Sequence, residues 1–301
     1  MNLKSKEKIV PARIHSVSEY LENIGGLKNF NGKVAGIIHH TFFRGQSNKD
    51  WNLNPGICRK DNLFYDEGTL LAEVRRNCPA EFTGDRFDFL VKMQHYGLPT
   101  RLLDVTTKPL VALYFACASN KENDSSDGMV YVFLDQYALP STDPLIQVIM
   151  DYIYEYDHRK PTNLEKMYRS MEEKYGASIF KTRPTDSLSL RQHLKHTFPV
   201  LPAIRNPRIT AQDGAFFLCG MDIESADSKF PGKTCVQFKP FEEYTPKVIA
   251  QNTDYYSLII DASSKQDILQ KLDVLGVNEA KLFPDLSHQI KHIVERFRAS
   301  N

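Results

Sequence analysis

Residues 94–118 read QHYGLPTRLLDVTTKPLVALYFACA, and this stretch contains the boundaries of three predicted elements. A helix predicted over 85–96 ends at Gly97, because glycine commonly terminates helices. The next residues, 100–104, predict a short strand or an extended link. A proline then favours the start of a new helix. Residues 110–118 are nearly all apolar, so the sequence predicts that this second helix is buried.

Further elements are predicted on both sides of this stretch from apolar runs and helical spacing. Strands are predicted at 37–43, 129–134, 208–218, 235–238 and 257–260, and helices at 13–30, 66–78, 264–276 and 286–297. We expect one domain over 1–301, with an N-terminal helical lead-in over 1–35. Helical patterns of charged residues and tyrosines predict a helical insertion over 141–200, lying over a mixed sheet.

The composition of the 301 residues is that of an ordinary globular protein, with 42% hydrophobic residues and a net charge of +1. This charge gives no strong nucleic-acid signature. The five cysteines form no CxxC pair, which favours reduced thiols and predicts no metal site. The N-terminus has no signal-peptide pattern, and no apolar run is long enough to cross a bilayer. We therefore expect a cytoplasmic protein with no membrane partner.

The tripeptide Phe43-Arg44-Gly45 is the first candidate site. An arginine at the end of a buried strand is partly desolvated and favours a bidentate anionic partner. The glycine allows a ligand or a neighbouring chain to approach the backbone closely. We include the next residue, Gln46, among the candidate ligand-binding residues. The alternative is that Arg44 pairs with a carboxylate of the core.

The second candidate lies between the two helices described first and contains His95, Tyr96, Thr100, Arg101 and Asp104. A loop so rich in hydrogen-bonding groups favours a binding or catalytic site. The imidazole could titrate near neutral pH, and the guanidinium could bind phosphate or carboxylate. The alternative is an internal network in which Asp104 caps the next helix or pairs with Arg101, while His95 lies in the core.

A third, weaker candidate is the segment 208–217, in which Arg208, Gln212 and Asp213 precede Gly214 and an apolar strand. An ordinary polar turn before a strand is the alternative. Motifs for phosphate-binding loops, nucleophile elbows and zinc proteases are not present in the sequence.

These three segments together resemble the FRG-domain family. The resemblance rests on the Phe-Arg-Gly tripeptide, on the block HYGLPTRLLDVTTKPLVALYFA and on RITAQDGAF. The later segment LFPDL at 282–286 also looks like the C-terminal end of those proteins, so the resemblance extends over roughly residues 38–290. Val105 stands where the family commonly has an aromatic residue. Members of this family are bacterial and are often encoded among mobile-element or phage-defence genes. The resemblance therefore implies a bacterial effector, with a role in phage defence or in a toxin system.

The order of elements is similar, more distantly, to the ADP-ribosyltransferase fold. This resemblance implies an α+β protein with a mixed, mostly antiparallel central sheet flanked by helices, and NAD as a substrate. Arg44 would match the first motif of that fold, the region from Thr100 to Thr106 the second, and Gln212 the third. Gly214 stands where the catalytic glutamate would be, and Asp213 on a strand would point to the opposite face.

Three hypotheses follow. The first is an ADP-ribosyltransferase-like effector that binds NAD and modifies a macromolecule, or cleaves NAD. The second is a non-catalytic domain that senses a nucleotide or a phage protein. The third is a metal-free nuclease or hydrolase with His95 as the base and Asp104 behind it. The predicted catalytic residues are Arg44, His95, Asp104 and Gln212, and the predicted binding residues are Phe43, Gly45, Gln46, Tyr96, Thr100, Arg101, Thr106, Arg208 and Asp213.

Overall fold

The computed structural model describes residues 11–27, 33–34, 37–59, 63–81, 84–118, 125–176, 187–203, 206–225, 235–251 and 253–299. The strands in these ranges are β1 (Ala12–Ile14), β2 (Lys33–Val34), β3 (Ile37–Ile38), β4 (His40–Gln46), β5 (Leu102–Thr106), β6 (Gly128–Gln136), β7 (Leu139–Pro140), β8 (Thr162–Asn163), β9 (Phe198–Leu201), β10 (Gly214–Leu218), β11 (Asp222–Ser225), β12 (Cys235–Lys239) and β13 (Tyr255–Ile260). The helices are α1 (Val17–Gly25), α2 (Glu67–Asn77), α3 (Arg86–His95), α4 (Pro109–Cys117), α5 (Pro144–Glu155), α6 (Leu164–Tyr175), α7 (Ser187–Lys195), α8 (Pro207–Gln212), α9 (Pro246–Ala250), α10 (Lys265–Val274), α11 (Glu279–Leu282) and α12 (Leu286–Ala299).

Eight strands form a central sheet in the order β1-β13-β6-β4-β5-β10-β9-β7. The pair at each edge, β1 with β13 and β7 with β9, is parallel, and the pairs between them are antiparallel. The predicted α+β class and the mixed, mostly antiparallel sheet are therefore confirmed. Two smaller sheets accompany the central one, β11-β12-β8 and the hairpin β2-β3.

Two of the predicted strands differ in the structure. The apolar run predicted as one strand over 37–43 contributes to two sheets, because β3 pairs with β2 whereas β4 pairs with β6. The strand predicted over 208–218 is wrong in its first half, where α8 forms. Asn206 caps this helix by accepting from the backbone N–H of Arg208, and a proline occupies the first turn. A short capped helix thus replaces the strand up to Gly214.

The segment predicted as a helical insertion, 141–200, contains α5, α6 and α7 and also β8 and most of β9. Helix α5 packs in the core, with Ile146, Met150 and Tyr152 fully buried. In the predicted lead-in over 1–35, residues 11–27 contribute β1 and α1, and residues 1–10 lie outside the described ranges. No helix in the described ranges is both long enough and apolar enough to span a bilayer.

Helix α4 packs directly on the central sheet at two glycines. A Cβ atom on Gly45 would lie 1.9 Å from the carbonyl oxygen of Ala112, and one on Gly128 would lie 2.2 Å from that of Ala116. Both contacts involve helix backbone, which cannot rotate away as a side chain can. Of the two alternatives for Gly45, close approach of a ligand or of a neighbouring segment of the chain, the structure shows the neighbouring segment, α4.

We expect Gly45→Ala to lower the free energy of unfolding by about 1–3 kcal/mol or more, since the added methyl group must displace α4. Urea denaturation measures this change. Gly25→Ala is the matched control, because a Cβ at Gly25 meets nothing within 4 Å and alanine is the better helix former. Equal effects of the two substitutions would contradict the proposed packing role of Gly45.

An ionic cluster joins β1 to the start of β6 through Asp127. Its carboxylate accepts hydrogen bonds from Arg13 (Nη2 to Oδ2, 2.9 Å) and Lys49 (Nζ to Oδ2, 2.9 Å), and from the backbone N–H of Ala262. The hydrogen bond from Arg13 is the largest cause that lowers the pKa of Asp127 to about 2, and burial acts in the opposite direction.

This pKa makes part of the stability depend on pH. The folded-state pKa of about 2 lies below the ordinary value of 3.8, so the contribution of Asp127 is complete above 3.8 and is lost as pH falls towards 2. We expect Asp127→Asn to be less stable than wild type at neutral pH. This difference in the free energy of unfolding should become smaller as pH falls from 3.8 towards 2. Urea denaturation at several pH values tests this, and a difference that does not change with pH would contradict it.

Candidate functional site

The residues of the Phe43-Arg44-Gly45 tripeptide divide between the two faces of the sheet. Phe43 is fully buried in the cluster that contains α4, and Gly45 contacts α4. Arg44 faces the opposite side, where its register partner on β6, Tyr131, belongs to a different hydrophobic cluster. Because side chains alternate along a strand, Arg44 and the helix α4 lie on opposite faces.

Arg44 is bound by the protein itself. Its Nη1 donates to the backbone carbonyl of Asp104 at 2.7 Å, and its Nε donates to Oε1 of Gln46 at 3.2 Å. Gln46 is buried and donates in turn to the carbonyl of Trp51 at 2.9 Å. Burial lowers the pKa of Arg44, and the charge of Asp104 opposes that effect. Arg44 therefore joins β4 to β5, and within the described part of the chain it forms no ion pair with a core carboxylate.

Arg101 forms a buried ion pair with Glu67, the first residue of α2. Nε of Arg101 lies 3.0 and 2.9 Å from the two carboxylate oxygens, and Nη2 also contacts Oε2. Both side chains are almost inaccessible to solvent. Burial opposes the charge of Arg101, but Glu67 raises the pKa above its ordinary value. Arg101 thus fixes the start of β5 against α2.

Breaking this pair leaves one charge buried, so we expect Glu67→Gln to lower the free energy of unfolding by about 3–5 kcal/mol. The double variant Glu67→Leu with Arg101→Met removes both charges and should lose much less. Urea denaturation of the three proteins measures the difference. A double variant less stable than Glu67→Gln would show that the ion pair itself, and not the uncompensated charge, determines the loss.

A chain of hydrogen bonds orients the Asp104 carboxylate. The hydroxyl of Thr100 donates to the side-chain oxygen of Gln94 and accepts from the backbone N–H of Leu102 at 3.1 Å. The amide nitrogen of Gln94 then donates to Oδ1 of Asp104 at 2.9 Å. Asp104 is itself exposed, whereas Thr100 is buried. The network therefore holds an accessible carboxylate in one orientation.

Two adjoining cavities of about 400 and 150 Å³ lie beside this carboxylate. They share five lining residues, Val91, His95, Asn206, Arg208 and Ile209, and we call the combined space the His95–Arg208 cleft. The smaller cavity is also lined by two of the predicted site residues, Asp104 and Gln212, and by Gln94 and Gly214. The larger one is also lined by Lys92, Tyr96 and Asp285. Such a volume suits a small-molecule ligand.

Arg208 is the central cation of the cleft. Its guanidinium lies 4.5 Å from the centre of the Phe283 ring, and its Nη1 donates to Nδ1 of His95 at 3.4 Å. Burial lowers the pKa of Arg208, whereas Asp104 and Asp285 raise it. Burial is also the largest cause that lowers the pKa of His95, and Arg208 adds to it. His95 is therefore mostly neutral at pH 7, with Nδ1 as an acceptor.

Thr106 joins the end of β5 to the end of α8, which carries the cleft residue Gln212. Its hydroxyl donates to the carbonyl of Gln212 at 2.6 Å and accepts from the backbone N–H of Lys108. The side chain of Gln212 donates to the carbonyl of Leu282 at 3.0 Å. Asp213 adopts left-handed backbone angles at the end of α8, and it pairs with Lys108 at 3.1 Å. Asp213 does not line the cleft.

The structure thus brings together only some of the predicted site residues. His95, Tyr96, Asp104, Arg208 and Gln212 line the cleft. The others lie in the core or join neighbouring strands and turns, namely Phe43, Arg44, Gly45, Gln46, Thr100, Arg101, Thr106 and Asp213. The proposed pairing of His95 with Asp104 is not formed, since His95 contacts Arg208 and Asp104 contacts Gln94.

Sequence reasoning missed several residues that build this region. Asn206 lines both cavities and caps α8, and the Asn-Pro pair before the helix was the available signal. Phe283 contacts Arg208 and Asp285 lines the larger cavity, and both come from a distant segment whose local sequence pattern does not indicate a contact with Arg208. Glu67 was also missed, because a glutamate at the start of a helix usually lies in solvent.

Residues 39–125 match the family model of the FRG domain. This match supports the resemblance to the FRG-domain family over the segment from β4 to beyond α4. The FRG segment contains Arg44, His95, Arg101 and Asp104, but Arg208 and Gln212 lie outside it. No curated protein and no solved structure gives a significant match to the chain.

Proposed function

We propose that the His95–Arg208 cleft binds NAD or a nucleotide of the same design and breaks the bond between nicotinamide and ribose. The ADP-ribosyl group would pass to a macromolecule or to water. One observation carries the proposal: an oriented carboxylate, Asp104, and a guanidinium, Arg208, face the same cleft.

The two charges match the two demands of this reaction. A guanidinium binds the oxygens of a diphosphate in a bidentate manner, which Arg208 would do. As nicotinamide leaves, positive charge develops on the ribose ring, and a fixed carboxylate stabilises that charge. Asp104 is held by Gln94, so it would need little reorganisation as the charge develops. Tyr96, which is 73% exposed, could stack on the departing ring.

In the resemblance to ADP-ribosyltransferases, Gly214 stands at the position of the catalytic glutamate. The register of β5 and β10 supports Asp104 as the carboxylate that takes over the role of this glutamate. Gly214 pairs with Thr106, and Phe216 pairs with Asp104. Directly paired residues and residues two apart share a face, so Gly214 and Asp104 are diagonal neighbours on one face. Such neighbours lie about 7–8 Å apart, within the reach of one ligand. The carboxylate would thus come from the adjacent strand.

The position of Arg44 favours the second candidate function, a non-catalytic domain that senses a nucleotide. Arg44 does not line the cleft, although the resemblance to ADP-ribosyltransferases makes it the first motif. A domain that binds the nucleotide without cleaving it needs Arg208 but has no need of Asp104. A setting in phage defence or in a toxin system, which the resemblance implies, is compatible with either function.

The test is incubation with NAD labelled in the adenine and in the nicotinamide. We expect wild type to release nicotinamide or to label a protein of a bacterial lysate. Asp104→Asn should lower the rate by about 10²–10³-fold and retain binding. Arg208→Ala should lose binding as measured by isothermal titration calorimetry.

Two surface substitutions control for loss of charge, Asp267→Asn for the carboxylate and Arg169→Ala for the guanidinium. Both side chains are exposed, form ion pairs within their own helices and do not line the cleft. Binding without turnover in wild type would select the sensing domain. If Arg208→Ala bound NAD as wild type does, the cleft would not be the nucleotide site. Cleavage of RNA or DNA that His95→Ala abolishes would instead establish the nuclease.

A further inference from the structure

A second cavity, of about 520 Å³, lies apart from the cleft and shares no lining residue with it. It is formed where β6 leaves the central sheet, where β9 begins and where α9 ends. We call it the His39–Gln251 cavity. Its lining includes aromatic rings, amides and hydroxyls, and its volume is within the range of small-molecule sites. The proposed function does not use it.

The rings provide a surface for stacking. Tyr137 is 50% exposed, and its ring centre lies 6.4 Å from that of His39. On another wall, the ring of His196 lies 4.6 Å from that of Phe198. Exposed aromatic faces beside a cavity bind planar rings, and stacking on such faces is tolerant of which base is bound.

The charges of the cavity favour an uncharged ligand. The described lining residues include three histidines and one carboxylate, Asp135, but no lysine or arginine. A phosphate would therefore have no guanidinium or ammonium partner here, in contrast to the cleft with Arg208. The amides of Gln192 and Gln251 also line the cavity, and each can donate and accept at the edge of a base.

The backbone of the cavity is strained at two of its residues. Asp135 has a φ of 51° and Gln251 a φ of 55°, which is the region that favours glycine. The remaining non-glycine residue with positive φ in the described ranges is Asp213. Strained residues persist only when their surroundings hold them, and they cluster at ligand sites. Gln136 contributes to that support by donating to Leu134 and to Thr253.

We propose that the His39–Gln251 cavity is a second ligand site and that it binds the planar base of a nucleoside. Tyr137 would stack on the base, and Gln192 and Gln251 would hydrogen-bond its edge. The ligand would be recognised by its ring and not by a phosphate, so that the site is independent of Arg208.

Isothermal titration calorimetry of the full chain with adenosine, guanosine, cytidine and uridine tests the proposal. These probes carry no phosphate and therefore offer nothing to Arg208. We expect at least one nucleoside to bind with a dissociation constant on the order of a millimolar or lower. Tyr137→Ala should weaken that binding roughly 10-fold, and Gln192→Ala should weaken it to a smaller extent. Both side chains are exposed, so both variants should fold, which circular dichroism checks.

Tyr96→Ala and Arg208→Ala are the matched variants in the cleft, and they should leave nucleoside binding unchanged. If the cleft variants weaken nucleoside binding as much as Tyr137→Ala does, the base binds in the cleft, and the proposal of a separate second site is wrong. The proposal is also overturned if none of the four nucleosides binds to wild type, whatever the outcome with NAD.

Discussion

The direct packing of α4 on the backbone of β4 and β6 is the constraint on which the arrangement of the cleft depends. Gly45 and Gly128 allow the helix to approach until main-chain atoms are in contact. Strand β5 enters α4 through a turn of only two residues, 107–108, so the position of the helix fixes the end of the strand. That strand carries Asp104. The close packing at two glycines thereby determines where the carboxylate lies.

The dense polar motif between α3 and α4 has two kinds of members. Arg101 and Thr100 are buried and fix β5 to α2 and α3, because a buried charge or hydroxyl requires partners. His95 and Asp104 are accessible and contact residues that face the cleft. The structural members hold the accessible ones in place. A motif of this kind therefore combines residues that build a site with residues that could act in it.

Much of the fold could be predicted from the sequence, since helix α3, β5 and α4 carry clear capping, strand and apolar signals. The cleft could be predicted less well. Strand alternation was enough to place Arg44 and Gly45 on opposite faces, but it does not say which face has the cavity. Asp285 lies 77 residues beyond Arg208, and Glu67 lies 34 residues before Arg101. Partners at such separations depend on tertiary packing, which local patterns do not contain.

The charged residues of the cleft limit the kinds of charge that a bound ligand can carry. Arg208 is flanked by Asp104 and Asp285, which favour its charged form against the cost of burial. A ligand that carries only negative charge would bind Arg208 and be repelled by both carboxylates. A ligand with a cationic ring and an anionic diphosphate, as NAD has, would meet an opposite charge at each end. Under the proposed function, the mixed charge of the cleft would therefore favour a ligand that carries both charges, such as NAD, over a simple phosphate.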